Sequence, residues 1–326
     1  MASQIPRQLL LPLLLTGLLA LLPAAADLLG QSYYVTFASR VLVLAIAAVG
    51  LNIALGYGGM VSFGHALYVG FGAYTVAVLS DAGIQSGFMQ LAVALAAGGV
   101  LAALVGLVCL RASGIGFIMI TLAFSQMFYF VIVSLKRYGG DEGMPLAGRS
   151  TFFGASLDSP ESFYYLIVGM LGAILTFVAF MERSRFGWVI RGTKLNARRM
   201  AAVGYPVLRY RLAAFVISAW ICIAAGFLLA NLTRFASPSY MQWSLSGELI
   251  VMVVLGGMGT VFGPVFGAIL LLLLEELLAN FALGLPGGAD GFIRSHFMAL
   301  IGIFVILMAL GARHGLAGLI RGGGKR

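Results

Sequence analysis

Few side chains in this sequence could do covalent chemistry, and they are dispersed. The histidines are His65, His296 and His314, the cysteines are Cys109 and Cys222, and no two stand at a metal-ligand spacing. No nucleophile is paired with a base in a pattern that signals covalent catalysis. No G-x-x-x-x-G-K-[S/T] run is present, so the chain is not expected to hydrolyse ATP by the P-loop route. What remains is a set of polar groups inside apolar stretches: Asn52, Ser62, His65, Tyr68, Ser125, Gln126 and Glu248. Groups of this kind either hydrogen-bond helix to helix or line a path for a polar solute. His65 has a third reading as a proton relay, because imidazole titrates near neutral pH. Glu248 follows Ser246-Gly247 near the end of an apolar run. An Asp at the centre of a membrane helix costs about 2.5–3.5 kcal/mol. Glu248 therefore faces a cavity or a partner, or else stands at the rim, where the cost falls. Glu275 and Glu276 read as a rim feature.

The other chemically distinct feature is the basic stretch from Glu182 to Arg211. It holds Arg183, Arg185, Arg191, Lys194, Arg198, Arg199, Arg209 and Arg211, with no acid after Glu182. Lys and Arg beside apolar spans mark the cytoplasmic side of a membrane protein. The residues alone leave two readings open. The stretch is a loop held against anionic lipid, or it contains a short helix, about 193–203 and bounded by Gly192 and Gly204, that docks on a cytosolic partner.

The elements that position these groups follow from composition. The chain is 61% hydrophobic and 10% charged, where a soluble domain is about 25% charged. A polytopic membrane protein is the consequence. The net charge of +9 does not signal nucleic acid, because the basic residues sit beside apolar runs. There each meets membrane lipid headgroups, worth roughly 1 kcal/mol. Both cysteines lie within apolar runs and read as small buried residues. Apolar runs long enough for ~30 Å of hydrocarbon occur at 8–29, 35–55, 64–80, 88–110, 115–135, 163–181, 212–232, 243–257, 261–280 and 292–311. The expectation is one all-α transmembrane helical bundle over 1–326, of about ten spans. The runs 64–80 and 243–257 are short and are expected to be short or broken helices. Placing 182–211 inside puts both termini in the cytoplasm and segment 136–162 outside. Arg7 and Pro23-Ala24-Ala25-Ala26 also fit a cleavable signal peptide, but the apolar stretch is long for one and a retained helix is expected. Gly58-Gly59-Met60-Val61-Ser62-Phe63-Gly64 has a faint echo in Gly256-Gly257-Met258-Gly259-Thr260-Val261-Phe262-Gly263. Transporters often carry broken helices at corresponding places.

Three blocks carry a resemblance. The first runs from Gly50 to Tyr74 and includes Asn52, Gly56, Tyr57, Gly59, Ser62, Gly64, His65, Ala66, Gly70, Gly72 and Ala73. The second is Arg185-Phe186-Gly187-Trp188-Val189-Ile190-Arg191, then Ala201 to Pro206, then Arg209-Tyr210-Arg211-Leu212-Ala213-Ala214-Phe215. The third runs from Gly247-Glu248 to Gly267-Ala268. Together, over residues 40–312, they resemble the LivM-type permeases of branched-chain amino acid ABC importers. Many members carry an acid in the loop helix. Asn196-Ala197-Arg198-Arg199-Met200-Ala201 has none, so no acidic contact to an ATPase is expected there.

The resemblance implies an inner-membrane permease subunit that moves branched-chain or related hydrophobic amino acids and is not itself an enzyme. It implies a second homologous permease, two cytosolic ABC ATPase subunits and a periplasmic substrate-binding protein. ATP would be bound by the partners, leaving this chain without a cofactor. The implied ATPase-docking residues are Arg191, Gly192, Thr193, Lys194, Asn196, Arg198, Arg199, Ala201 and Gly204. Urea, short amides or other small organic solutes remain alternative cargoes. An ion-gradient-driven secondary transporter remains the alternative mechanism.

Overall fold

The computed structural model describes residues 17, 19, 23, 33–146, 148–152, 155–156, 159–279 and 296–311. Most of the expected first span, 8–29, and the basic tail beyond 311 lie outside them. The described helices are α1 (Tyr33–Asn52), α2 (His65–Asp81), α3 (Gly87–Cys109), α4 (Ile115–Ser134) and α5 (Pro160–Arg183). They continue with α6 (Arg185–Ala202), α7 (Val207–Thr233), α8 (Trp243–Gly256), α9 (Gly263–Ala279) and α10 (Phe297–Gly311). The result is the expected all-α membrane bundle. With its π turn, α1 forms one of the helices long and apolar enough to cross a membrane; α3, α4, α5 and α7 are the others described. The 14 residues of α8 rise only ~21 Å, short of the hydrocarbon thickness. Helix α2 is also short, at 17 residues.

Burial separates centre from periphery. In α1 with its π turn the best apolar window is 89% buried and in α7 72%, against 17% in α4. Helices apolar on all sides bury completely only in the middle of a bundle. Accordingly α7 packs on α1, α2 and α3, while α1 also meets α5, α8 and α9. Small residues set the close approaches. A Cβ on Gly226 of α7 would stand 1.9 Å from the Val69 carbonyl oxygen of α2, and one on Gly72 would stand 2.2 Å from that of Ile223. Backbone lies against backbone at this crossing, as membrane packing favours.

The described residues of 136–162 fold onto one end of this core. Strand β1 (Met144–Pro145) pairs antiparallel with β4 (Phe235–Ala236), just past α7, and β2 (Thr151–Phe152) pairs with β3 (Ala155–Ser156). The Ser150 N–H donates to Asn231 Oδ1 at 2.8 Å, and the Ser150 hydroxyl lies between Asn231 and Gln90. Arg149 Nε donates to the Asn231 carbonyl, and its guanidinium lies over Phe163. The segment is thus pinned to α3, α5 and α7.

The α2–α7 crossing makes a prediction. Gly72→Ala and Gly226→Ala should each destabilise the protein by about 1–3 kcal/mol through overpacking. Among the described residues, a Cβ on Gly169 of α5 would meet nothing within 4 Å, so Gly169→Ala should be neutral or stabilising by about 1 kcal/mol. Thermal unfolding of the three purified variants in detergent, with wild type alongside, reads the difference.

Candidate functional site

Helix α1 does not end cleanly. Its last turn widens into a π turn, Ile53–Tyr57, followed by irregular backbone to Gly64. Helices α8 and α9 are likewise separated by an irregular stretch, 257–262. The two echoing glycine-rich segments are therefore both helix breaks, and the fold brings them together. Asn52, fully buried, joins them. Its Oδ1 accepts from the Gly259 N–H at 2.9 Å, and its Nδ2 donates to the Thr260 carbonyl at 2.9 Å. Thr260 continues the network: its hydroxyl donates to the Gly257 carbonyl and accepts from the Gly263 N–H at the start of α9. Gly56 allows the approach, because a Cβ there would stand 2.0 Å from Asn52 Oδ1 and 2.5 Å from the Gly259 nitrogen. Irregular backbone in an apolar bundle needs such partners in place of water.

The basic stretch forms a helix longer than the expected 193–203. Helix α6 begins at Arg185, with Ser184 Oγ accepting from the Gly187 N–H. Gly192 therefore lies inside the helix and does not bound it, because the packing of Val189, Ile190 and Thr193 carries the helix through it. The interruption falls at Asn196, whose backbone is extended and whose Oδ1 accepts from the Arg199 N–H at 2.9 Å. Asn caps a new helical turn in this way. Gly204 ends the piece as expected, at φ +97°, with its N–H on the Ala201 carbonyl and that of Tyr205 on the Met200 carbonyl.

The expected docking residues divide by direction. Thr193 is buried, and its hydroxyl donates to the Ile190 carbonyl. Arg191 turns back to Glu182, donating to its carboxylate at 3.2 Å and its carbonyl at 2.6 Å, with its guanidinium over Trp188. Gly192 packs against Met200. Arg198, Arg199, Ala201 and Gly204 are exposed, together with Trp188, Leu195 (86% exposed) and Val203. Asn196 is also exposed, its side chain spent on its own turn. Lys194 is exposed as a residue, yet its Nζ reaches the Gly56 carbonyl at 2.8 Å.

The expected path residues lie at several separate helix joints. His65 Nε2 lies 2.7 Å from Ser218 Oγ, which donates to the Gly50 carbonyl at 2.6 Å. With that hydroxyl's proton directed at the Gly50 carbonyl, Nε2 is left to donate to the Ser218 oxygen. This chain crosses α2, α7 and α1. Tyr68 and Phe215 pack edge-on around the imidazole, and among the described residues the buried Tyr68 hydroxyl has no hydrogen-bond partner. Ser125 donates to the Met241 carbonyl at 2.7 Å, Ser62 accepts from the Gly64 N–H, and the buried Gln126 Nε2 has no partner among the described residues. Sequence reasoning misses Ser218 and Ser246. Ser246 accepts from the Ala66 N–H at 2.8 Å and so satisfies the start of α2. A serine in an apolar run gives no sign of which helix start it will meet far along the chain.

Glu248, in the second turn of α8, is half-buried and feels the charges of Glu275 on α9 and Arg40 on α1. Among the described residues none of these three forms a hydrogen bond or ion pair. At the adjoining end of α1 and α9, the Tyr33 hydroxyl donates to Glu276 Oε1 at 2.6 Å. Charged groups at membrane depth favour protein or water over hydrocarbon.

The junction predicts coupled losses. Asn52→Ala leaves the Gly259 N–H and the Thr260 carbonyl unmatched, at about 1–3 kcal/mol for each buried group. Gly56→Ala should cost a comparable amount by displacing the same carboxamide. Because both remove one contact, the double variant should lose clearly less than the sum of the singles. Denaturation of all four proteins in detergent measures the cycle.

The family model described as branched-chain amino acid transport system / permease component matches residues 33–309. The high-affinity branched-chain amino acid transport system permease protein LivM of Escherichia coli (strain K12) is 27% identical over 318 residues, spanning 88% of this chain and 70% of the relative. LivM of Salmonella typhimurium is 26% identical with the same coverage. The permease protein LivH of Escherichia coli (strain K12) is 25% identical over 251 residues, 72% of this chain and 80% of the relative. No solved structure matches the chain. The π-turn break, the α8–α9 break and helix α6 all lie inside the matched region, and the chain belongs to the permease-component family of branched-chain amino acid transport systems.

Proposed function

We propose that this chain is the membrane subunit of an ATP-driven importer for branched-chain or related hydrophobic amino acids. In this reading it sits in a bacterial inner membrane with both termini and α6 in the cytoplasm and 136–162 outside. It pairs with a second homologous permease, receives cargo from a periplasmic binding protein and works with two ATPase subunits that bind the ATP. The observation that carries the reading is helix α6. One face, Gly187, Val189, Ile190 and Thr193, is buried in the bundle. Elsewhere along α6 and at its end, Trp188, Leu195, Arg198, Arg199 and Val203 are exposed. A basic surface bearing exposed large apolar side chains suits a protein cleft better than lipid headgroups alone. Arg40, Glu248 and Glu275, which form no hydrogen bond or ion pair among the described residues, supply a polar face for the second permease or the solute path.

Affinity purification of the tagged chain from native membranes in mild detergent tests this. A P-loop ATPase and a second permease should co-purify. Arg198→Glu with Arg199→Glu should lower ATPase recovery about tenfold or more, the scale expected for charge reversal at a docking surface, and leave recovery of the permease unchanged. Isolation of a chain that transports leucine under an ion gradient without ATP would overturn the importer reading.

A further inference from the structure

Helix α6 touches the bundle in two ways. Most of its contacts join it to α5 and α7, its immediate neighbours in sequence: Arg191 to Glu182, Phe186 stacked on Tyr210, and Arg211 Nη2 donating to the Thr193 carbonyl at 3.5 Å. Lys194 makes a different contact. It reaches across 138 positions to the Gly56 carbonyl in the π turn, and its methylenes lie against Gly59, Cγ standing 2.9 Å from where a Cβ there would be. Among the described residues no backbone N–H donates to the Gly56 carbonyl. It is an orphan acceptor at the negative end of α1, where a cation is favoured. The same carbonyl oxygen lies 3.3 Å from the Cβ position of Gly259 in the other break.

We propose that Lys194 is a positioning residue that latches helix α6 to the paired helix breaks, so that displacement of α6 passes to residues 53–64 and, through Asn52, to 257–260. This rests on the docking role of α6 proposed above. The latch assigns Lys194 to coupling within this chain and leaves Arg198, Arg199 and Leu195 to the partner surface. It also accounts for the Asn52 carboxamide holding both breaks in one piece: a pull on Gly56 moves the α8–α9 turn with it. Since Lys194 is exposed, neutralising it leaves the buried packing intact.

The test uses the complete importer in proteoliposomes, with radiolabelled leucine as probe. Lys194→Met should keep the ATPase subunits bound and hydrolysing while moving about tenfold fewer leucines per ATP, the scale of one charge-assisted hydrogen bond. Lys194→Arg, which keeps a donor, should recover much of that ratio. An unchanged ratio in Lys194→Met overturns the latch. So does loss of the ATPase subunits from that variant, which would make Lys194 a docking contact. Hydrogen exchange on the wild-type complex gives a reading independent of cargo and of any variant's folding. Nucleotide should alter protection at 185–202 and at 53–64 and 257–263 together. A change at 185–202 with none at the breaks overturns the latch alone. No change at 185–202, or no ATPase bound to the wild type, overturns the docking role and the latch with it.

Discussion

The structure depends on one side-chain amide. Asn52 offers a donor and an acceptor at the point where α1 stops being an α-helix, and both are matched by backbone of the α8–α9 turn. In an apolar bundle no water is at hand to satisfy a broken helix, so each break needs a partner within the protein. Here the two breaks partner each other. The amide is neutral, so it matches these groups without burying a charge.

The same economy runs through the rest of the interior. His65, Ser218 and the Gly50 carbonyl form one short polar chain across three helices. Ser246 satisfies the start of α2, and Ser125 holds the Met241 carbonyl. Each interhelical contact of this kind is worth little more than about 1 kcal/mol. Their effect is to select one register among many ways of packing nearly featureless apolar helices. Glycines at the α2–α7 crossing do the complementary work, since dispersion rises as backbones approach.

Helix α6 shows how a single element serves two surfaces. Gly187, Val189, Ile190 and Thr193 recur at helical spacing and bury, while Trp188 between them stays exposed. Past Asn196 the chain turns and its basic residues point away. The interruption at Asn196 frees the second piece from the register of the first, and the Asn side chain caps the turn it creates. Anchoring and presentation are thus separated by one residue.

Much of this was legible in the sequence. Runs of apolar residues mark helices because a membrane span must satisfy its own backbone, and the observed helices follow the expected runs within a few residues from 33 onward. The glycine-rich stretches at 56–64 and 256–263 echo each other in the sequence, but close helix packing was as open a reading of them as a break, and only the fold shows that both are breaks. The start of α6 was not legible, because Gly192 weakens a helix locally and only the packing of Val189, Ile190 and Thr193 carries the helix through it. Nor could the direction of Lys194 be read, for a lysine among arginines looks like one more surface cation. Tertiary structure alone decided that Asn52 meets Gly259, that His65 meets Ser218 and that Lys194 meets Gly56. Composition and periodicity report what each segment does with its own neighbours. Which polar group answers which across the bundle depends on helix rotation and depth, and those are set only when all the helices pack.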